Sequence, residues 1–197
     1  MTRSFFARPS PEVAPDLLGR VLVRTLPSGA QLAVRLVETE AYQQDDPASH
    51  SYRGPTARTR VMFGPAGRLY VYFTYGMHFC MNVVTGPEGE GSAVLLRAGE
   101  PIAGLDEMRR LRGVDDPRTL CSGPGRLCQA LGVGRDDDDL DLVGGRSMRV
   151  LEGERVPDER IAVTGRIGIR AAVERPWRFL ARDDPFVSRA RPSRLRG

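Results

Sequence analysis

The chain has 197 residues, enough for one domain with a real core but cramped for two. Hydrophobic residues make up 41% and charged residues 27%, the balance of an ordinary globular protein, and no apolar run approaches a membrane span. The formal net charge of +4 mildly favours an anionic partner, and the three cysteines (Cys80, Cys121 and Cys128) lack the paired spacing of a zinc site.

Residues 1–6 hold no apolar core adequate for a signal peptide, so cytoplasmic residence is the expectation. Ser10-Pro11-Glu12 reads as an N-cap followed by proline at the first helical position, opening a short helix through Leu18 that closes at Gly19. Residues 21–24 and 32–42 read as strands separated by a Pro27-Ser28-Gly29 turn. Residues 43–60 are polar, contain Pro47, Gly54 and Pro55, and form a long loop of the kind that is often functional. Residues 69–84 form a second β unit, a hairpin turning near Tyr75-Gly76-Met77, where Gly76 supplies the backbone freedom.

Residues 93–97 are a further short apolar strand, and Leu105, Met108 and Leu111 share one helical face between Pro101 and Gly113. Another helix starts after Ser122-Gly123-Pro124 and runs to Leu131. The run Asp136-Asp137-Asp138-Asp139 reads as a solvated loop, because it lacks the spaced ligands and glycine of a calcium loop. Residues 147–182 return to short strands, 166–169 among them. Residues 189–197, rich in arginine, are expected to be disordered and open to nonspecific phosphate contact. The pattern predicts one domain over 1–188 and a basic tail over 189–197.

The chemistry is concentrated between residues 37 and 81. Side chains alternate faces along a strand, so Glu38, Glu40 and Tyr42 share one side. A carboxylate, an imidazole and flat tyrosines suit a site that grips a planar base and hydrolyses the bond beside it. Such hydrolysis passes through a sugar with oxocarbenium character and needs a carboxylate to deprotonate water. Glu40, at the strand's end beside Tyr42, is the first candidate, and Glu38, with the same parity, competes with it. Tyr42 and Tyr72 could form two sides of a stacking slot, with His50 contacting the base edge. Stacking is worth about 1–3 kcal/mol per base, which favours an extruded base but does not by itself offset unpairing. Tyrosines are also common on half-buried strands and glutamates on strands are commonly ion-paired, so residue type alone leaves both readings open. Tyr75 beside Gly76 at a hairpin tip is an odd place for a core ring unless it inserts into a partner.

All 29 basic residues are arginines. Codon usage in a GC-rich genome accounts for that bias as readily as phosphate binding does. In either case no lysine amine exists to form a Schiff base with a sugar aldehyde, and only the N-terminal amine could serve.

The blocks Val37-Glu38-Thr39-Glu40-Ala41-Tyr42, Tyr70-Val71-Tyr72, Tyr75-Gly76-Met77, Phe79-Cys80-Met81-Asn82, Leu95-Leu96-Arg97-Ala98 and Leu120-Cys121-Ser122-Gly123-Pro124 occur in that order. Together they resemble the alkyladenine (3-methyladenine) DNA glycosylase family, from about Phe5 to Val187. The resemblance implies that Glu40 is the general base and that Arg97 and the backbone carbonyl near Ile167 help hold its water. It implies that Tyr42, His50 and Tyr72 wall the base pocket and that Asn82 rejects unmodified guanine by conflict with its 2-amino group. Tyr75 would fill the gap left by a flipped nucleotide, with Met62 beside it at the groove. The implied fold is α+β: a single mixed domain with a curved, mainly antiparallel β-sheet, peripheral helices and a protruding, DNA-inserting β-hairpin.

The leading expectation is a monofunctional hydrolase that removes 3-methyladenine, 7-methylguanine, hypoxanthine or ethenoadenine from double-stranded DNA and leaves an abasic site. The competing readings are a hydrolase of free purine nucleosides and a noncatalytic nucleic-acid-binding module. No metal or organic cofactor and no membrane are expected, and the protein should act as a monomer.

Overall fold

A computed structural model describes residues 1–74 and 76–194. Strand β1 (Val21–Thr25) pairs antiparallel with the first half of β2 (Gln31–Tyr42), as the turn at Pro27-Ser28-Gly29 requires. Strands β3 (Leu69–Thr74) and β4 (His78–Val84) also pair antiparallel, with Thr74 opposite His78. Strand β5 (Ala93–Ala103) lies between β4 and β2, and β6 (Met148–Leu151) closes the order β3-β4-β5-β2-β1-β6. Strands β7 (Ile161–Thr164) and β8 (Arg178–Ala181) pair with each other, and β8 pairs with the second half of β2. Every one of these pairings is antiparallel.

Strand β2 therefore changes neighbour midway, from β1 to β8, while β5 stays on its other edge. The β2–β5 ladder shifts register at Ala33/Val34, Leu36/Glu38 and Glu38/Thr39. Such bulges bend a strand and increase its twist, which curls the sheet. Gly99 is required on this ladder, since a Cβ there would sit 2.2 Å from Cγ1 of Val34.

Short helices cover the periphery: α1 (Arg3–Phe6), α2 (Ser10–Asp16), α3 (Leu105–Arg112), α4 (Pro117–Leu120) and α5 (Pro124–Ala130). One apolar core joins sheet and helices through Leu22, Leu36, Met81, Leu96, Met108 and Leu127, all fully buried. The chain is thus a single α+β domain around a curved antiparallel sheet. Among the described residues no helix is long and apolar enough to cross a membrane.

Several local expectations need correction. Ser10 is the first helical residue, not the N-cap, because its buried hydroxyl donates to the Tyr42 carbonyl at 3.0 Å instead of capping α2. That helix ends at Asp16, two residues short of Leu18. Strand β5 runs on past Arg97 through Pro101 to Ala103. The acidic run is not simply solvated: Asp137 is buried in an ion pair with Arg24, and Asp138 accepts the Val71 amide at 2.8 Å. Residues 166–169 form a bend, not a strand, with Gly168 at φ +76°. The segment after 188 is held as well, since the Ser193 amide donates to the Arg166 carbonyl at 2.8 Å. The last three residues, 195–197, lie outside the described residues, as does Tyr75. The three cysteines are buried free thiols.

Candidate active site

The antiparallel registers place one row of residues across four strands. Asn82 on β4 faces Leu95 on β5, Leu95 faces Glu40 on β2, and Glu40 faces Arg178 on β8. Between the Glu38↔Ala98 and Thr39↔Leu96 pairs, β5 carries one residue more than β2, and that extra residue is Arg97. A bulge commonly re-aims a side chain at a site. Here Arg97 reaches both carboxylates, with Nε 2.8 Å from Oε1 of Glu38 and Nη1 3.2 Å from Oε2 of Glu40.

The two glutamates are equally buried, with no solvent exposure, but their partners differ. Glu38 accepts four hydrogen bonds: from Nε of Arg97 and Nε of Arg178, both at 2.8 Å, and from the Ser188 hydroxyl and amide at 3.0 and 2.8 Å. Three of these fall on Oε1 and one on Oε2, a total that matches the roughly four hydrogen bonds a carboxylate can accept. Among the described residues Glu40 accepts two hydrogen bonds, from the Ile167 amide to Oε1 at 2.7 Å and from the Tyr42 hydroxyl to Oε2 at 2.8 Å, and Nη1 of Arg97 makes an ion-pair contact with Oε2. Oε1 has room for a further donor.

The same difference sets their proton affinities. Moving a carboxylate out of water costs several kcal/mol, whereas a charge pair at 4 Å returns about 4 kcal/mol at an effective dielectric near 20. Burial opposes ionisation at Glu38, but two guanidiniums and the Ser188 hydroxyl outweigh it and lower its pKa. At Glu40 burial is opposed only by a share of Arg97 and by two neutral donors, the Ile167 amide and the Tyr42 hydroxyl. Burial prevails, and the nearby Glu38 charge adds to it, so the pKa rises above the ordinary 4.5. Tyr42 is itself pushed well above 10 by burial and by the Glu40 charge, so its hydroxyl keeps its proton and donates it to Glu40.

A cavity of about 530 Å³ opens beside this pair, lined by Tyr42, His50, Tyr72, Asn82, Arg97 and Ile167 among others. Its volume is in the range of small-molecule sites. Glu40 lies just behind the wall, covered by Tyr42, Arg97 and Ile167. His50 packs edge-on against Tyr72, with ring centroids 4.6 Å apart, and Tyr72 stacks on Tyr70 at 5.6 Å. Nδ1 of His50 lies 3.1 Å from the Tyr70 hydroxyl. Burial of part of the ring and the charge of Arg58 lower the His50 pKa to about 4, so the imidazole is neutral at pH 7. Asn82 is held by its Nδ2, which donates to the Tyr70 carbonyl at 3.2 Å.

The far wall hangs on Arg166, which is fully buried. Its guanidinium pairs with Asp46, donates to the carbonyls of Ala41 and Ala172 at 3.0 and 3.3 Å, and lies between the rings of Tyr42 (4.6 Å) and Trp177 (5.3 Å). Buried cation–π contacts are worth roughly 2 kcal/mol, and the ion pair compensates the charge. Arg166 thus fixes the back of Tyr42 and the start of the Ile167 bend.

Seven of the nine residues singled out in the sequence therefore gather here: Glu40, Tyr42, His50, Tyr72, Asn82, Arg97 and Ile167. Ile167 contributes in a way the sequence did not suggest, through its amide to Glu40. Met62 is 2% exposed and packs against Tyr70, Val84 and Ala93 at the cavity floor. The 3-10 turn Arg60–Phe63 thus holds Met62 inward, where the resemblance implied a place at the groove beside Tyr75. Tyr75 is outside the described residues. Sequence reasoning missed Arg178, Ser188 and Arg166, which reach the site from far along the chain, and Asp46 in the polar loop between Tyr42 and His50; none carries a local motif. Among the described residues no cluster of three or more histidine, cysteine or acidic side chains is arranged to hold a metal ion.

Comparison with known proteins places this geometry in context. The family model described as methylpurine-DNA glycosylase (MPG) matches residues 4–185. A protein of Carboxydothermus hydrogenoformans is 49% identical over 189 residues, covering 96% of this chain and 98% of that one. A protein of Streptomyces avermitilis is 52% identical over 194 residues, covering 95% and 90%. A third, from Methanoculleus marisnigri, is 50% identical over 189 residues, covering 94% and 97%. Each of the three carries the name "Putative 3-methyladenine DNA glycosylase".

Proposed function

The chain belongs to the methylpurine-DNA glycosylase family and is a DNA glycosylase for alkylated bases, and from that premise we propose that it flips damaged purines out of duplex DNA and hydrolyses their N-glycosidic bond with a water activated by Glu40. The observation that carries this reading is the unequal hydrogen bonding of the two buried carboxylates. Glu38 takes four hydrogen bonds, while Glu40 takes two and has only the Ile167 amide on Oε1. A water seated there donates one proton to Glu40, and its oxygen attacks C1′ as the bond to the purine breaks. The raised pKa of Glu40 makes it a stronger base than an ordinary glutamate, and its charge faces the oxocarbenium-like sugar. Arg97 keeps the carboxylate oriented, and the Ile167 carbonyl accepts a hydrogen bond from the water's second hydrogen, which stays on the oxygen.

The extruded base occupies the cavity between Tyr42 and the His50–Tyr72 pair. Arg58 lies over the Tyr72 ring at 5.5 Å and beside the Tyr70 hydroxyl, which favours that hydroxyl accepting from Arg58 and donating to Nδ1 of His50. The His50 proton is then on Nε2, a donor suited to the 6-oxygen of hypoxanthine or the N6 of ethenoadenine. Asn82 stands in the same row as Leu95 and Glu40 and excludes the 2-amino group of guanine. Cationic 3-methyladenine and 7-methylguanine leave readily and need little protonation. Tyr75 takes the vacated place in the stack, the protein acts as a monomer, and without a lysine amine it leaves the abasic strand uncut.

Single-turnover base release from duplexes that each carry one of these lesions, run beside free inosine, tests the proposal. Release from the duplexes with free inosine left intact is expected. Hydrolysis of inosine at a comparable rate would instead identify a nucleoside hydrolase.

A further inference from the structure

One C-terminal segment touches both buried carboxylate systems. At Ser188 it donates its amide and hydroxyl to Glu38, at 2.8 and 3.0 Å. Five residues later Ser193 takes hold of the bend that carries Ile167. The Ser193 amide donates to the Arg166 carbonyl at 2.8 Å, and the Ile169 amide donates to the Ser193 hydroxyl at 3.1 Å. Ile167 and Gly168 are thereby bracketed: the residue before them and the residue after them are both bonded to one serine.

The bend needs such a tie. It follows β7 but belongs to no strand, and Gly168 takes a left-handed φ of +76°. Backbone of this kind carries none of the cooperative ladder bonding of its neighbours and opens readily unless held. On one side Arg166 anchors it to Asp46 and to the Ala41 carbonyl. On the other side the anchor is Ser193, reinforced by Pro192, whose Cβ lies 3.5 Å from where a side chain on Gly165 would begin. Between the two anchors the Ile167 amide meets Oε1 of Glu40 at 2.7 Å.

We propose that Ser193 is a positioning residue for base excision, pinching the Arg166–Ile169 bend so that the backbone of Ile167 stays aimed at Glu40 and its water. This inference rests on the reading of Glu40 as the general base. Ser193 touches neither the cavity nor the carboxylate, and it acts through Ile167 alone. Its loss lets the bend relax, the amide bond to Glu40 lengthens, and the carboxylate binds its proton more tightly.

The test is single-turnover release of hypoxanthine from a duplex as a function of pH, using the full chain. Ser193→Ala is expected to lower the rate about tenfold, short of the roughly hundredfold that an ångström of misplacement can cost. The acidic limb of its profile moves to higher pH, because one of the bonds that favour ionised Glu40 is weakened. Ser193→Thr, which keeps the hydroxyl, restores both rate and limb, and Ser193→Pro, which also removes the amide, goes further than alanine. Duplex Kd and Tm stay close to those of the parent for the alanine variant. An unchanged rate and limb in Ser193→Ala would overturn the inference. So would a lower rate that comes with a lower Tm and an unmoved limb, the mark of a merely structural residue. Glu40→Gln run in parallel separates the two readings. If it still releases base, the assignment of Glu40 fails; if it is inert while Ser193→Ala matches the parent, only the role of Ser193 fails.

Discussion

Nη1 of Arg97 lies 3.2 Å from Oε2 of Glu40, while Nε of the same guanidinium donates to Glu38. Glu40 therefore receives only part of one positive charge, in a place shut off from bulk solvent. Arg97 itself stays charged, since burial works against its protonation but the two carboxylates raise its pKa overall. The arrangement keeps Glu40 oriented without satisfying it. A carboxylate held this way is a better base than one locked in a full ion pair.

Replacing Glu40 with glutamine should leave duplex binding near its original strength and lower single-turnover base release by about 10²–10⁴-fold, the usual contribution of a general base. The side chain keeps its size, so the cavity wall is undisturbed. Parallel measurement of Kd and release rate checks this, and retained release would redirect attention to Glu38.

The pH dependence follows from burial at Glu40. Its pKa is raised above 4.5, and activation of water needs the ionised form, so the rate for 7-methylguanine should climb with pH through a midpoint above 4.5. Because His50 has a pKa of about 4, it adds no step between pH 6 and 8. A profile with its acidic midpoint below 4.5 would contradict the weak pairing of Glu40.

Stability should respond to Glu38 in the opposite sense. Its folded pKa is lowered, so its carboxylate contributes stability above the ordinary 4.5, and that stability is lost as pH falls through the folded value. Glu38→Gln removes the charge that Arg97 and Arg178 share and should cost about 3 kcal/mol at pH 7. The Tm difference from the parent should be widest near neutrality and narrow below pH 4.5. Glu40, with its raised pKa, contributes stability only at lower pH and loses it as pH rises through its folded value.

His50→Ala should discriminate between substrates. Removing the Nε2 donor costs most for hypoxanthine and ethenoadenine, which present an acceptor at the purine 6-position, and least for cationic 3-methyladenine, whose 6-amino group offers none. A loss of about tenfold for the neutral bases, matching one hydrogen bond of about 1–1.5 kcal/mol, is expected in competition assays on mixed duplexes. Equal losses for all three would remove His50 from base recognition.

Borohydride should trap no covalent adduct on an internal side chain, because the chain contains no lysine. Denaturing electrophoresis of a reaction on labelled duplex, before and after alkali, checks this directly. Strand cleavage should appear only after alkali.

Much of the scaffold was legible in the sequence. Alternation along residues 32–42 placed Glu38, Glu40 and Tyr42 on one face, and the structure has Glu38 and Glu40 sharing Arg97 and Tyr42 bonded to Glu40. The turn at Pro27-Ser28-Gly29 and the helix around Met108 were equally plain, because glycine, proline and apolar spacing act locally. Met62 is the converse case: its place at the groove came from the resemblance alone, and its packing with Tyr70, Val84 and Ala93 appears only in the folded structure. Ser10 misled, since its choice between α2 and the Tyr42 carbonyl depends on a strand 32 residues away.

The sequence by itself determined the chemistry on offer: acid, imidazole and tyrosines on neighbouring strands, arginine as the sole basic side chain, and a family resemblance running through ordered motifs. It ranked Glu40 first for its place beside Tyr42, with Glu38 competing by parity. Tertiary structure gives the two different environments, because the difference lies in partners 59 to 150 residues away. Arg178 and Ser188 give Glu38 three hydrogen bonds, and the bulged Arg97 hydrogen-bonds Glu38 but only ion-pairs with Glu40. Hydrogen-bond saturation and desolvation depend on what surrounds a group in space, and linear spacing does not encode them.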